Sequence, residues 1–375
     1  MVVLMELYEM LHNMTSMKGS DLYLSTGARP MMRLNLNNKL IALSKETLNV
    51  GEVKNLAYNQ LNSEQITVFE QNLELNIAIS ITNLGRFRVN VFIQRGEVGM
   101  VIRNITTYIP NFEELHLPPI LSSFSMQKRG LILIIGASGA GKSTTLASMI
   151  DYRNKNCSDH IITIEDPIEY IHTHQNCVIN QREVGIDTLS FQNALENALR
   201  QTPDVIVIGE IRSKETMQQA IAFAETGHLC ISTLHASNAT QALERIIHFF
   251  PANKRQELLL NLSLNLKAIF SQRLVNTLEN KRIPAYEILL GSPLVLDLIY
   301  RDELHSIKDV MEKSIEVGML TFDLCLEKLY KEGKISLEEA LIHADSKNNL
   351  KLKLNLTLPS KVALPKTESD WELKH

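Results

Sequence analysis

The spacing of apolar residues changes character several times along the chain. At the start, MVVLMELYEMLHNM places them at helical intervals with Glu6 and Glu9 between, which predicts a docked amphipathic helix. SDLYLSTGARPMMRLN alternates apolar and polar positions around turn residues, as short strands do. VGEVKNLAYNQLN and SEQITVFEQN return to helical spacing, each opened by a residue that can cap it. The next stretch, LNIAISITNLGRFRVNVFIQRGEVGMVIRNIT, is rich in β-branched residues and alternates. Its breaks at Asn83–Gly85 and Arg95–Gly96 predict three antiparallel strands. Residues 1–106 therefore read as a small α+β domain.

YIPNFEELHLPPILSSF holds Pro110, Pro118 and Pro119 and no long periodicity, so residues 107–128 read as a linker. From Arg129 the texture becomes apolar strand, turn and helix in alternation. LILII, HIITI, DVIVIG and LCISTL are nearly continuous in apolar residues, as strands of a parallel sheet buried on both faces are. Residues 129–250 are thus expected to form an α/β core. After Pro251 the pattern predicts a helical region, opened by one long helix over KRQELLLNLSLNLKAIFSQRLV and running to about residue 355. Pro359 and Pro365 mark residues 356–375 as a mobile tail.

Composition adds bounds rather than direction. The chain has 375 residues, enough for two or three domains, and is 45% hydrophobic and 21% charged. A net charge of -4 and the lack of basic stripes argue against nucleic acid as a partner. The N-terminus lacks the basic region and cleavage site of a signal peptide, and no apolar run is long enough to span a membrane. Cys157, Cys177, Cys230 and Cys325 lie far apart and form no CxxC pair, so they read as buried reduced thiols.

Chemistry enters at GASGAGKS, residues 136–143, which satisfies G-x-x-x-x-G-K-[ST] between a buried strand and a helix. Such a loop turns its backbone N–H groups onto phosphates, and the helix adds its positive end. Gly136, Ala137, Ser138, Gly139, Ala140, Gly141, Lys142, Ser143 and Thr144 are therefore expected to contact a nucleotide. Lys142 would bridge the β- and γ-phosphates, and Ser143 would offer its hydroxyl to Mg²⁺. VIVIGE supplies an acid, Glu210, at the end of a buried strand, suited to Mg²⁺ or to the attacking water. Between these motifs, EDPIEY crowds Glu165, Asp166 and Glu169 into a turn that Pro167 keeps from becoming a continuous helix. One of them could polarise water for in-line attack. GHLCISTLH carries His228 and His235. Seven extended steps separate them by about 23 Å, too far to share one ion. They read either as structural hydrogen bonders or as sensors of phosphate or a neighbouring subunit.

Together these motifs resemble the secretion ATPases of type IV pili and type II secretion. TIEDPIEYIH is similar to that family's Asp box, VIVIGEIR to its atypical Walker B, and AETGHLCISTLHASNA to its His box. RFRVNVF and RGEVGMVIRNI resemble the arginine-bearing end of its PAS-like N-terminal domain. The likeness runs from about Gly19 to about Asp345. It implies a RecA-like ATPase core, a homo-hexameric motor, and ATP with Mg²⁺ as the working pair. It also implies Ser143 and Glu210 at the metal, and an Asp-box glutamate as base, Glu169 or Glu165. His228 and His235 become the His-box pair. Arg86, Arg88, Arg95 and Arg103 match N-terminal arginines, some of which reach a phosphate across a hinge or subunit boundary. Ser213 in IRSKET stands where Asp is usual, which could weaken a contact near the nucleotide.

The chain lacks the tetracysteine zinc site of the assembly branch and resembles the retraction branch, with its PilT-like and PilU-like members. EILLGSPLVLDLIYRDELHSIKDVMEKS and EEALIHADSKNNLKLKL favour the PilU-like side. The implied partners are a PilT-like retraction ATPase and a PilC-like platform protein, at the cytoplasmic face of the inner membrane. Three other readings stand beside this one: an autonomous PilT-like retraction motor, a RecA-like DNA motor, which predicts a basic channel, and an accessory ring that binds ATP but does little work alone.

Overall fold

The computed structural model describes residues 6–34 and 39–354. The tail expected over 356–375 lies outside them, as do the first five residues of the predicted first helix. The helix itself, α1 (Leu7–Ser16), buries Leu7, Met10, Leu11 and Met14 along one stripe. Strands β1 (Gly19–Ser25), β2 (Met31–Leu34) and β3 (Leu40–Ala42) come next, then helices α2 (Glu52–Tyr58) and α3 (Ser63–Asn72). A capping box opens α3: Asn62 accepts from the Gln65 N–H, and the Gln65 side chain accepts from the Asn62 N–H. The meander β4 (Glu74–Ile81), β5 (Gly85–Gln94) and β6 (Glu97–Ile105) closes a six-stranded antiparallel sheet of order β3-β2-β1-β6-β5-β4. Its turns fall at the expected breaks, with Asn83, Arg95 and Gly96 at positive φ as tight hairpins require.

Alternation along β5 decides what this sheet presents to each side. Phe87, Val89 and Val91 are buried in a core shared with α1 and the strands beside them. Arg86 and Arg88, one step out of phase, point to the other face, where the second sheet's carboxylates lie.

The segment that begins at Tyr108 is clamped to the second sheet and its helices. Ser148 donates to the carbonyl of Pro110 at 2.7 Å, and the Phe112 and Tyr152 rings sit 5.4 Å apart. Leu117, with Leu121 and Phe124 of α4 (Ile120–Ser125), joins the core beneath that sheet.

The second sheet has seven strands in the order β13-β12-β7-β11-β10-β8-β9, its first two being β13 (Arg282–Leu290) and β12 (Leu266–Asn276). Its parallel part comprises β12, β7, β11, β10, β8 and β9, of which β7 spans Gly130–Ile135, β8 His160–Glu165, β9 Val178–Glu183, β10 Val205–Ile208 and β11 Leu229–Leu234. Helices α5 (Lys142–Asn156), α6 (Phe191–Ala198), α7 (Lys214–Glu225) and α8 (Ala239–His248) connect these strands or come directly after them. Every residue of β7, β10 and β11 is buried, which explains the unbroken apolar runs. In β7, Leu131, Leu133 and Ile135 enter a core with α6 to α8, while Ile132 and Ile134 enter a second core with α4 and α5.

The structure corrects one element. The long helix expected over residues 254–275 ends early, as α9 (Arg255–Asn265), and the chain turns into β12 (Leu266–Asn276). β12 pairs parallel with β7, and β13 (Arg282–Leu290) pairs antiparallel with β12. The region after Pro251 is therefore not purely helical, since two of its strands complete the second sheet. A strand buried on both faces has no alternation to betray it, so its apolar residues read as a continuation of α9. Helices α10 (Pro293–Tyr300), α11 (Ile307–Lys313), α12 (Phe322–Lys331), α13 (Leu337–His343) and α14 (Lys347–Lys353) complete the region as the pattern suggested.

Candidate active site

The C-terminal ends of β7, β8, β10 and β11 converge on one side of the sheet, where open parallel sheets place their ligands. A cavity of about 570 Å³ lies there. Its wall includes Ser138, Gly139, Gly141, Lys142, Ser143 and Thr144 from the loop after β7, and Glu165, Asp166 and Glu169 from the segment after β8. Glu210 comes just after β10 and His235 just after β11. Four motifs spread over about a hundred residues of sequence thus face one volume.

The glycine loop leads into α5, whose N-cap is Gly141 at φ 89, a left-handed conformation that glycine adopts without penalty. Lys142 is buried, and its ammonium donates to the carbonyls of Gly136 and Ala137 at 3.0 and 2.9 Å. Burial lowers its pKa and the nearby Glu210 opposes that shift. Thr144 exchanges a 2.8 Å hydrogen bond with the Tyr170 hydroxyl, tying the start of α5 to the acidic turn. Gly136, Ala137 and Ala140 do not form the cavity wall themselves. They shape the loop from behind, Ala137 and Ala140 through a backbone bond of 3.2 Å.

Glu165 and Glu169 occupy different surroundings. The Glu165 carboxylate accepts from the Thr163 hydroxyl at 2.7 Å and from the Gln181 amide at 3.3 Å. Burial of this carboxyl pushes its pKa up to about 7, although the residue keeps partial solvent access. Glu169 is exposed and faces the cavity directly. The peptide between Asp166 and Pro167 is cis.

Glu210 is gripped from two sides. Arg212 approaches one carboxylate oxygen at 2.7 Å, and His235 Nε2 approaches the other at 3.2 Å. Burial and the Lys142 charge lower the His235 pKa while Glu210 opposes them, so the ring sits between a cation and an anion. His228 does not join the site within this chain, as the extended spacing of the two histidines led one to expect. It stands at the opposite end of β11, with Nδ1 3.0 Å from the Thr226 hydroxyl and its ring edge-on to Phe223. A six-residue strand lies between the two histidines, and an extended strand cannot bring its ends together.

The arginines are likewise dispersed. Arg88 lies 3.8 Å from the buried Glu183, and Arg86 lies 4.0 Å from Asp187. Arg103 is bonded to Asp21 at 2.8 Å and also feels the charge of Glu169. Arg95 sits exposed at the tip of the β5–β6 hairpin. None of the four forms the cavity wall. Ser213 caps α7 by accepting from the Thr216 N–H and is not part of that wall either. Asp would serve the same cap, so the replacement leaves the helix start intact.

Several contributors escaped sequence reasoning. Thr163, Tyr170 and Arg212 fall inside the quoted motifs without being singled out there, and Gln181 lies outside them; all four act through the glutamates or the loop. Gln272 lay inside the stretch read as a helix.

The donors suit a hard divalent cation. Ser143 and Glu210 offer oxygen rather than sulfur, and phosphate oxygens and water would complete an octahedral Mg²⁺ shell. Among the described residues, no group of three or more His, Cys, Asp or Glu could hold a metal by itself.

Known proteins with this arrangement are related. The family model described as "Type II/IV secretion system protein" matches residues 3–345. The "Type IV pilus ATPase PilU" of Pseudomonas aeruginosa is 53% identical over 353 residues, covering 94% of this chain and 92% of that protein. The "Type IV pilus retractation ATPase PilT" of the same organism is 39% identical, covering 90% of this chain and 97% of that protein. A crystal structure of the pilus retraction motor PilT with bound ADP superposes with a TM-score of 0.86 at 38% identity, over 93% of this chain and all of that one. Matched along nearly its whole length in sequence and in fold, the chain belongs to the type II/IV secretion system protein family, among its PilT- and PilU-like members.

Proposed function

We propose that this chain is an ATP-hydrolysing motor subunit that powers type IV pilus retraction and twitching motility, in the manner of a PilU-like partner to a PilT-like ATPase. The observation that carries the reading is the meeting of the glycine loop, three glutamates and a histidine in one cavity. ATP would lie with its phosphates on the N–H groups at the start of α5, and Lys142 would leave its two carbonyls for phosphate oxygens. Mg²⁺, held by Ser143 and Glu210, would neutralise charge on the phosphates. Glu169 is the favoured general base because it is exposed and open to cavity water, whereas the Glu165 carboxylate is engaged by Thr163 and Gln181. Glu165 is the second candidate. His235 would report on the γ-phosphate through Glu210.

Work requires that the two sheets change their relation when nucleotide is bound. Thr106, just past β6, bridges Tyr170, and the Ile171 N–H donates to the Thr106 carbonyl at 3.1 Å. The N-terminal sheet thus touches the acidic turn directly. The arginine face of β5 could exchange Glu183 and Asp187 for phosphate, in this subunit or the next. A homo-hexamer would arrange such subunits on a PilC-like platform at the cytoplasmic face of the inner membrane. No described helix is long and apolar enough to cross a membrane.

The 53% identity to a protein named PilU supports the PilU-like side of the reading, and the family resemblance implies that such a member works beside a PilT-like motor. The test is pilus retraction in a strain lacking its PilT-like ATPase, with this protein present. No retraction there, with pulling force lost when this protein is removed from a strain that keeps the PilT-like ATPase, is the expected result. Retraction by this protein alone would make it an autonomous motor. Undiminished force after its removal would contradict a motor role.

A further inference from the structure

Outside the recognised motifs, one residue touches the glycine loop at both ends. Gln272 lies on β12, one residue past Ser271, which pairs with Ile135, the last residue before the loop. Its main chain reaches the loop entrance: a Cβ placed on Gly136 would stand 2.5 Å from the Gln272 carbonyl oxygen. Its side chain reaches the loop exit: a Cβ on Gly141 would stand 2.8 Å from Gln272 Nε2. The remaining polar side-chain atom, Oε1, accepts from the Thr145 hydroxyl on the first turn of α5 at 2.7 Å. Both partners are almost wholly buried, with Gln272 at 4% and Thr145 at 1% exposure.

We infer that Gln272 is a positioning residue for the phosphate cradle, bracing the glycine loop from beneath and acting through Thr145. A loop of this kind binds phosphate only if several N–H groups converge, and a flexible loop must be ordered before it does so. A buried amide with both ends of the loop against it removes that freedom beforehand. It also explains why Gly136 and Gly141 are closed to larger residues here: each is pressed against Gln272. A buried hydrogen bond is the stronger for being shielded from water, and it is costly to leave half-made. The inference rests on the nucleotide-site reading for its consequence, but the bracing itself does not.

Two substitutions of similar size test it, Gln272→Met and Thr145→Val, with their double variant. The first readout is amide hydrogen exchange over residues 136–145 in the full chain without nucleotide. Each variant should exchange faster there by about tenfold, the loss of one buried hydrogen bond, with β7 and β10 unchanged. The second is ADP affinity, which should weaken by about tenfold in either single variant and no further in the double one. Unchanged loop exchange in both single variants would overturn the proposal whether or not the protein binds nucleotide. So would affinity losses that add in the double variant, or that accompany a general fall in unfolding temperature. If the wild-type protein binds no ADP while the loop still loosens in the variants, the bracing stands and the nucleotide reading fails.

Discussion

At the scale of single residues, the site separates two carboxyl groups that the sequence could only place side by side. Glu165 and Glu169 are four positions apart, yet one accepts hydrogen bonds from Thr163 and Gln181 and the other faces the cavity. The consequence is measurable. Glu169→Gln should lower ATP turnover by about 10²- to 10⁴-fold while ADP still binds, and Glu165→Gln should retain more activity. Glu165 also makes stability depend on pH. Its folded pKa of about 7 exceeds the ordinary 4.5, so the folded state holds an extra proton between these values. Stability therefore falls as pH rises through this window. Glu287, buried and likewise pushed up to about 7, acts in the same direction. Glu165→Gln should flatten the slope of unfolding free energy against pH between 4.5 and 7 without abolishing it, as urea titrations at several pH values would show. An unchanged slope would mean that Glu165 ionises freely in the folded protein.

At the scale of elements, legibility depended on patterning. The hairpin turns at Asn83 and Arg95–Gly96 were readable because left-handed positions demand particular residues. The four parallel strands flanking the site were readable as continuous apolar runs. β12 was not, because the same continuity, coming directly after α9, also fits a buried helix. That misreading hid Gln272, and it hid Arg273 as well. The Arg273 guanidinium donates to the carbonyls of His343 and Ser237, pairs with Asp345 at 2.7 Å, and stacks 3.7 Å from the Phe322 ring. It therefore fastens α12 and α13 to the segment after His235. Arg273→Ala should strip these contacts together and leave Asp345 paired only with Lys308, at 3.5 Å. The expected loss is about 2–4 kcal/mol in unfolding free energy, with faster hydrogen exchange in residues 337–353. Equal protection of these helices in the variant would remove Arg273 from that role.

At the scale of the whole molecule, the arginine face of β5 meets the second sheet's carboxylates through imperfect polar contacts. Arg88 and Glu183 stand 3.8 Å apart, and one Glu183 oxygen and the Arg86 Nε are buried without a hydrogen bond. On the proposed reading, nucleotide phosphate would offer these arginines a better-paired anion. The motifs announced the nucleotide chemistry, but this relation between sheets could not be read from them, because it depends on which carboxylates come to lie opposite the arginine face of β5. Everything proposed for the motor depends on the cavity hydrolysing ATP. The most direct test is steady-state phosphate release by the purified full chain, beside Glu210→Gln, with ADP binding measured on the same preparations. Hydrolysis by the wild-type protein is expected, with a loss of about a hundredfold or more in the variant and ADP still bound. No hydrolysis by the wild type, or equal hydrolysis by both, would contradict this role for the cavity.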